Sequence, residues 1–459
     1  MQNSDSSKLS FPPSFTWGVA TSAYQIEGAA TADGRGPSIW DTFTHTEGKI
    51  IDGSTGDVAC DHYHRYVDDV GLIASLNVNA YRFSISWSRV QPLGYGAWNE
   101  AGFDFYSRLL DQLEEKNISA HVTLYHWDLP QGLQDKDGWL NRQTAVHFAD
   151  YAAEVARRFG HRVASIATHN EPWCTVNLGY GNGQFAPGVT DADAAIQVSH
   201  HLLLSHGLAM QSMRAVKSPA LLGIVLNQWT ATPATDSAED KAKAELEYAK
   251  SVQWFMDPIF KGRYPELALN SINRAAFVVA ENDMQDIHQP IDFLGVNYYT
   301  RVVSSTAVPP VKPEGKLGFS DMGWEIYPQG LTDLLAGLHA EYQLPPIYIT
   351  ENGMAVADEI IDGAINDEQR INFVEMHLAA LKQAMDLGVN VQGYFYWSLM
   401  DNFEWNSGYA KRFGLLYVDY ATQQRTLKAS AHWYRSFIAM NAVTHAVNNA
   451  VTHADALQS

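Results

Sequence analysis

Cysteine is scarce in this chain of 459 residues: only Cys60 and Cys174 occur. Two cysteines cannot build a disulfide framework, so the fold must rest on a packed core; a reducing compartment fits, and a single bridge between the two is left open. Positive charge is also short. Lys and Arg number 31 against 51 Asp and Glu, a formal net charge of -20. That balance argues against nucleic acid or an anionic membrane as a partner. No segment approaches the roughly 20 uninterrupted apolar residues of a membrane span. The first residues, MQNSDSSKLSFPPSF, lack the apolar core of a signal peptide, which makes a cytoplasmic location the expectation. Repeats, low-complexity tracts and an obvious linker are missing too.

What is present is an ordinary globular composition, 46% apolar and 18% charged, rich in aromatics with 13 Trp and 22 Tyr. Most of these rings must belong to a core, but flat apolar faces with polar edges also suit sugar stacking. Length alone suggests about three domains, yet one α/β barrel with insertions can exceed ~400 residues. Eight short β-prone runs alternate with helical stretches: Thr16–Ser22, Ala80–Ser86, Ala120–Tyr125, Ser165–Asn170, Gly223–Asn227, Phe293–Tyr298, Ile347–Glu351 and Gly393–Ser398. The pattern predicts one α/β unit over 1–459, a (β/α)8 TIM barrel with elaborated loops on its C-terminal face and a core from about residue 11 to 440. An open doubly wound sheet is disfavoured because no Gly-x-Gly-x-x-Gly loop opens a helix after an early strand.

Ile371, Val374, Leu378, Leu381 and Met385 form one apolar stripe at helical spacing, with Asn366 and Gln369 as a predicted capping box and Gly388 as the stop. Phe103, Tyr106, Leu110 and Leu113 form a second stripe. The Pro/Gly-rich stretch 303–323 reads as a loop over the barrel mouth. The polar tail after Met440 is expected to fray.

The chemistry gathers at the predicted strand ends. Gln25 and Glu27 follow the first strand, and Arg82 lies in the second. His126, Trp127 and Asp128 follow the third; Asn170 and Glu171 end the fourth and Asn227 the fifth. Asn297 and Tyr299 end the sixth, Glu351 the seventh and Trp397 the eighth. Taken singly, tryptophans pack and asparagines turn chains. Their convergence on the rim that carries barrel active sites changes the odds. Two glutamates on separate strand ends are the minimum equipment for cleaving a glycosidic bond, one as acid and one as nucleophile or base.

The segments FTWGVATSAYQIEG, YRFSISWSR, TLYHWDLP, THNEPW, NYYTR, YITENG and YWSLMDNFEWNSGYAKRFGL together resemble glycoside hydrolase family 1, the retaining β-glucosidases, from Phe15 to about Phe437. The resemblance implies a cofactor-free enzyme without a metal, acting on small β-glycosides. It implies Glu171 as general acid/base and Glu351 as nucleophile, with Arg82 and Tyr299 supporting Glu351. Asn170 would meet the sugar 2-OH. Gln25, His126 and Glu404 would bind the other hydroxyls, Trp397 would form the stacking floor and Trp405 would add an indole N–H. Trp127, Asn297 and Phe413 complete the implied substrate-binding set. Trp173, Cys174, Asn227 and Trp324 would line the leaving-group site. A retaining mechanism implies carboxyls about 5–5.5 Å apart. A carboxylate at Glu404 would repel a sugar 6-phosphate, which points to unphosphorylated sugars.

Other readings weigh less. Asp61-His62-Tyr63-His64 suggests a metal, but residues two apart on a helix face apart. His200, His201 and His206 sit in a Leu/Ala-rich helical stretch and read as packing or surface residues. His169, where the family has a hydrophobic residue, is expected behind the strand end on a backbone carbonyl; the alternative is that it perturbs Glu171. A catalytically dead sugar binder is disfavoured because both glutamates are present. A transglycosylase would use the same residues. The aglycone depends on loops 177–189 and 303–324, and the oligomeric state is not encoded legibly.

Overall fold

A computed structural model describes residues 9–456, with side chains described through 442. Eight parallel strands close into a barrel: β1 (Thr16–Ala20), β2 (Ala80–Ser84), β3 (Ser119–Tyr125), β4 (Ser165–Asn170), β5 (Leu221–Asn227), β6 (Phe293–Asn297), β7 (Ile347–Asn352) and β8 (Val391–Trp397). Each strand pairs with its neighbours in sequence, and β8 closes on β1 through Ala20 opposite Trp397. All eight predicted strands exist, with ends differing by up to two residues. The strands are buried on both faces, so they read as near-continuous apolar runs rather than alternating ones.

The main outer helices are α1 (His62–Ser75), α2 (Glu100–Glu115), α3 (Gln143–Phe159), α4 (Ala192–Ala215), α5 (Ala238–Tyr248), α6 (Gln329–Glu341), α7 (Glu368–Asp386) and α8 (Ala429–Ala456). The stripe Phe103, Tyr106, Leu110 and Leu113 of α2 is buried as expected, as are Val374, Leu378 and Leu381 of α7. Gly388, at φ +97°, follows the end of α7. The capping box is a correction. The N-cap is Asp367, not Asn366, and its carboxylate is taken by Ser430, at 2.8 Å from the backbone N–H, and by Arg370. Those partners lie on α8 and on α7 itself, and the ion pair outcompetes a local cap. The tail past Met440 continues α8, and its side chains beyond 442 lie outside the described residues.

The predicted mouth loop reaches the mouth only at its end. Met322 and Trp324 enter the cavity wall, whereas Val311, Lys312 and Lys316 share a separate outer groove with Met376 and Gln383 of α7. His62 is buried against Asp69 at 2.8 Å, while His64 is exposed and bonds Asp61, so the two histidines face apart. His200, His201 and His206 are all buried, on Asp283, the Trp139 carbonyl and Thr168 respectively. No described helix is long and apolar enough to cross a membrane.

Candidate active site

The loops at the C-terminal ends of the strands enclose a cavity of about 650 Å³. Register puts its floor together. Asn227, Asn297 and Glu351 stand in one row across β5, β6 and β7, and Ala20 of β1 pairs with both Arg82 and Trp397.

The segment after β4 aims Glu171. Its N–H still bonds the Val225 carbonyl at 2.9 Å, but its backbone turns left-handed, at φ 48° and ψ 64°. A non-glycine residue is uncommon there and carries strain, which functional sites tolerate when the surroundings fix them. Pro172 then starts a short helical turn, Pro172–Cys174, with its φ preset for that position.

Thr350-Glu351-Asn352-Gly353 is explained residue by residue. Thr350 Oγ1 donates to Asn297 Oδ1 at 2.7 Å. Asn352 Nδ2 donates to the Tyr298 carbonyl at 2.7 Å, and Tyr394 donates to Asn352 Oδ1 at 2.8 Å. A Cβ on Gly353 would fall 1.7 Å from the Trp397 carbonyl oxygen, so only glycine lets β7 and β8 approach at that point.

Glu351 is held between Arg82, whose Nη1 donates to Oε1 at 2.7 Å, and Tyr299, whose hydroxyl donates to Oε2 at 2.7 Å. Arg82 Nη2 donates to Asn170 Oδ1 at 2.7 Å. Asn297 Nδ2 donates to Asn170 Oδ1 at 3.0 Å and to Glu171 Oε1 at 2.7 Å. The Asn170 oxygen is therefore occupied, and its Nδ2 faces His126 Nε2 at 3.2 Å. Cys174 Sγ donates to Glu171 Oε2 at 3.1 Å.

Both glutamates are buried. Burial first, and then the charge of Glu351, push Glu171 above the carboxylate range; the hydrogen bonds from Asn297 and Cys174 oppose this. Burial also raises Glu351, but the cation and hydrogen bonds of Arg82, then Tyr299, pull it back. Glu404 has no donor among the described side chains. Burial, then Glu351 and Glu171, push it up to about 8. His126 is held neutral by burial and by Arg82.

Rings build the wall. Trp397 and His126 stack at 5.6 Å and 17°, and Trp405 packs on Trp127 at 4.6 Å and on Trp40 at 4.5 Å. Phe413 packs against Tyr299 and Trp324. Of the sequence-predicted residues, His126, Trp127, Glu171, Trp173, Cys174, Asn227, Asn297, Tyr299, Trp324, Glu351, Trp397, Glu404, Trp405 and Phe413 line the cavity. Arg82 and Asn170 stand directly behind them. Gln25 is fully buried, accepting from Ser22 at 2.6 Å and donating to Asn402 and the Phe403 carbonyl, so it anchors the loop that carries Glu404. Glu27 points away, to Arg89 and Tyr106. Asp128 is buried outside the cavity wall.

Sequence reasoning named the loops 177–189 and 303–324 without singling out their residues Leu178, Gln184, Phe185 and Met322, and it missed Trp229 and Glu247; these six form the outer wall. Trp229 meets Trp173 edge-on at 4.9 Å. Its position two residues past the end of β5 was the one available signal. His169 is a correction. It lies behind the strand, fully buried, on Ser205 Oγ at 2.8 Å rather than on a carbonyl. Ser205 itself donates to the Leu202 carbonyl, so its oxygen accepts from the imidazole. The ring stacks on Phe148 at 4.6 Å.

The Glycosyl hydrolase family 1 model matches residues 7–443. The chain belongs to that family. It is a glycoside hydrolase. Beta-glucosidase A of Acetivibrio thermocellus is 46% identical over 450 residues, covering 95% of this chain and 99% of the relative. A bifunctional beta-D-glucosidase/beta-D-fucosidase of Bifidobacterium breve is 45% identical, covering 94% and 98%. Among solved structures, the beta-glucosidase of Thermotoga maritima in complex with deoxynojirimycin superposes with a TM-score of 0.90 at 43% identity, over 94% of this chain and 99% of that one. The barrel topology seen here is thus the family's, with the two glutamates at the ends of β4 and β7.

Proposed function

We propose that this family 1 enzyme is a retaining β-glycosidase releasing terminal, non-reducing β-D-glucosyl residues from small glucosides and cello-oligosaccharides, with β-galactosyl and β-fucosyl residues accepted alongside. The observation that carries this reading is the unequal surroundings of the two glutamates. Glu351 has a guanidinium and a phenol; Glu171 has only neutral donors and the neighbouring charge. Glu351 therefore ionises first and Glu171 keeps its proton.

In the first step an oxygen of Glu351 attacks the anomeric carbon while Glu171 gives its proton to the glycosidic oxygen. The carbon–oxygen bond breaks and the aglycone leaves as an alcohol. The charge of Glu351 is now spent in a covalent bond, so the pKa of Glu171 falls. In the second step Glu171 takes a proton from water, the water oxygen attacks the anomeric carbon, and Glu351 departs as a carboxylate. Two inversions give net retention.

Asn170, with its oxygen held by Arg82 and Asn297, offers an N–H to the sugar 2-OH. Trp397 is the stacking floor. Glu404, Trp405 and His126 surround the remaining hydroxyls, with Trp127 and Phe413 beside them, while Gln25, its amide spent on Ser22, Asn402 and the Phe403 carbonyl, holds the Glu404 loop in place. Asn297 has its amide N–H groups on Asn170 and Glu171, so its part is to position the acid. Trp173, Asn227 and Trp324, together with Trp229, take the leaving group. Among the described residues the cavity wall contains neither Lys nor Arg, and four glutamates, Glu171, Glu247, Glu351 and Glu404, line it, a poor setting for a sugar 6-phosphate. The named activities of the Acetivibrio and Bifidobacterium relatives support the same substrate class.

The test is kcat/KM on matched aryl β-D-glucoside, galactoside, fucoside and 6-phosphoglucoside. Preference for the three unphosphorylated sugars is expected. Preference for the phosphorylated one would overturn the substrate reading, and no turnover of any would overturn the activity.

A further inference from the structure

We propose that Cys174 is a positioning residue for the acid/base glutamate: its thiol fixes the side chain of Glu171 and stabilises its ionised form. The proposal rests on the reading of Glu171 given above.

The geometry starts from the backbone. Glu171 is left-handed, and the turn after it brings Cys174 back over it, with the Cys174 N–H on the Glu171 carbonyl at 2.9 Å. The two side chains are three residues apart on one turn, so they meet. Sγ lies 3.1 Å from Glu171 Oε2, close for a sulfur donor. Asn297 Nδ2 holds the other oxygen at 2.7 Å. The carboxyl group is thus clamped at both oxygens by neutral donors from two elements. On the far side Asn227 Nδ2 approaches Sγ at 3.7 Å, so the thiol's hydrogen is directed to Glu171 while its lone pair faces the Asn227 amide.

The thiol stays a donor. Burial, then the charge of Glu171, raise its pKa well above the ordinary thiol value, which also rules it out as a nucleophile. A donor to a carboxylate favours the charged form and lowers its pKa. Glu171 must keep its proton in the first step and lose it in the second. A weak donor on one oxygen trims its affinity for the proton without supplying the full charge that Arg82 gives Glu351. The other titratable and charged groups around Glu171 are Glu351, Tyr299, Glu404 and Arg82, with His126 behind Asn170 and Glu247 at the mouth; all are retained in the variants below.

Three variants test this. Cys174→Ser keeps a donor; Cys174→Val and Cys174→Ala remove it. The readout is the alkaline limb of kcat/KM against pH, on aryl and alkyl glucosides, with Glu171→Gln as the control that establishes which limb belongs to Glu171. The limb is expected to move up by about half to one pH unit in Cys174→Val and Cys174→Ala, equally for both substrates, and to stay near native in Cys174→Ser. An unmoved limb in the valine and alanine variants, with only KM altered and to different extents for the two substrates, would reduce Cys174 to a wall residue and overturn the proposal. If Glu171→Gln leaves the limb in place, it is the reading of Glu171 that fails instead. A second measurement needs no loss-of-donor variant. The S–H stretching band of the native protein, assigned by its loss in Cys174→Ser and separated from that of Cys60, which donates to the Asp401 carbonyl, should shift as Glu171 titrates. A band that ignores the titration would overturn the proposal.

Discussion

Arg82 grips Glu351 and Asn170 with its two terminal nitrogens, each at 2.7 Å. One guanidinium thus sets both the charge on the Glu351 carboxylate and the orientation of the amide beside it. Arg82→Met leaves a buried carboxylate without its cation. The acid limb of kcat/KM should move up as Glu351 rises further, and unfolding free energy should fall by about 3–5 kcal/mol. A pH titration of turnover with a denaturant melt checks both.

Asn170→Ala should lower kcat/KM on a β-glucoside by about 10- to 100-fold, the range expected for a hydrogen bond to the 2-OH that tightens in the oxocarbenium-like transition state. On the matching 2-deoxyglucoside the same substitution should cost far less. Equal losses on both substrates would remove the 2-OH from the account.

Glu171→Gln removes the proposed acid. Substrates with poor leaving groups should lose about 10²–10⁴-fold in kcat/KM, whereas those with very good leaving groups should still glycosylate the enzyme and then stall. The native profile should be bell-shaped. Above the raised pKa of Glu171 the acid has lost its proton; below that of Glu351 the nucleophile is protonated. The alkaline limb should disappear in the variant, and burst kinetics measure the stall.

Stability should fall in mild acid. Burial lowers His121 and His377 to about 4 and His206 to about 3, and lowers His169 as well. These rings stay neutral in the fold but protonate in the unfolded chain near pH 6.5. Their stabilising contribution is therefore intact above that pH and declines as pH drops toward the folded values. Each ring contributes up to ~1.4 kcal/mol per pH unit in that window. Denaturant melts at pH 7 and pH 5 should show the fall, and His377→Phe should flatten it. His169→Phe should leave the alkaline limb of activity in place, since the ring lies behind the strand on Ser205 and Phe148.

The eight strands were legible because parallel barrel strands, buried on both faces, are apolar runs ending in polar residues. The meeting of Glu171, Glu351 and Arg82 at one rim was legible because each sits in a short local segment at a strand end. The cap of α7 was not. Asp367 is claimed by Ser430, 63 residues away, and no local pattern carries that partner. The outer wall was hidden for the same reason. Phe185 reaches the cavity through the turns of a long loop and packs on Trp40 and Trp127, an outcome set by tertiary packing. Asn297 read as a sugar ligand because it lies on the rim, but its hydrogen bonds go to Asn170, Glu171 and Thr350. The partner of His169 lies on α4, 36 residues on.

The most direct test of the central claim is to trap the intermediate. The enzyme would be incubated with a 2-deoxy-2-fluoro-β-D-glucoside bearing a very good leaving group, and the labelled peptide located by mass spectrometry. The account predicts one glycosyl adduct, on the peptide containing Glu351. An adduct on any other residue, or turnover of the reagent without an adduct, would contradict it.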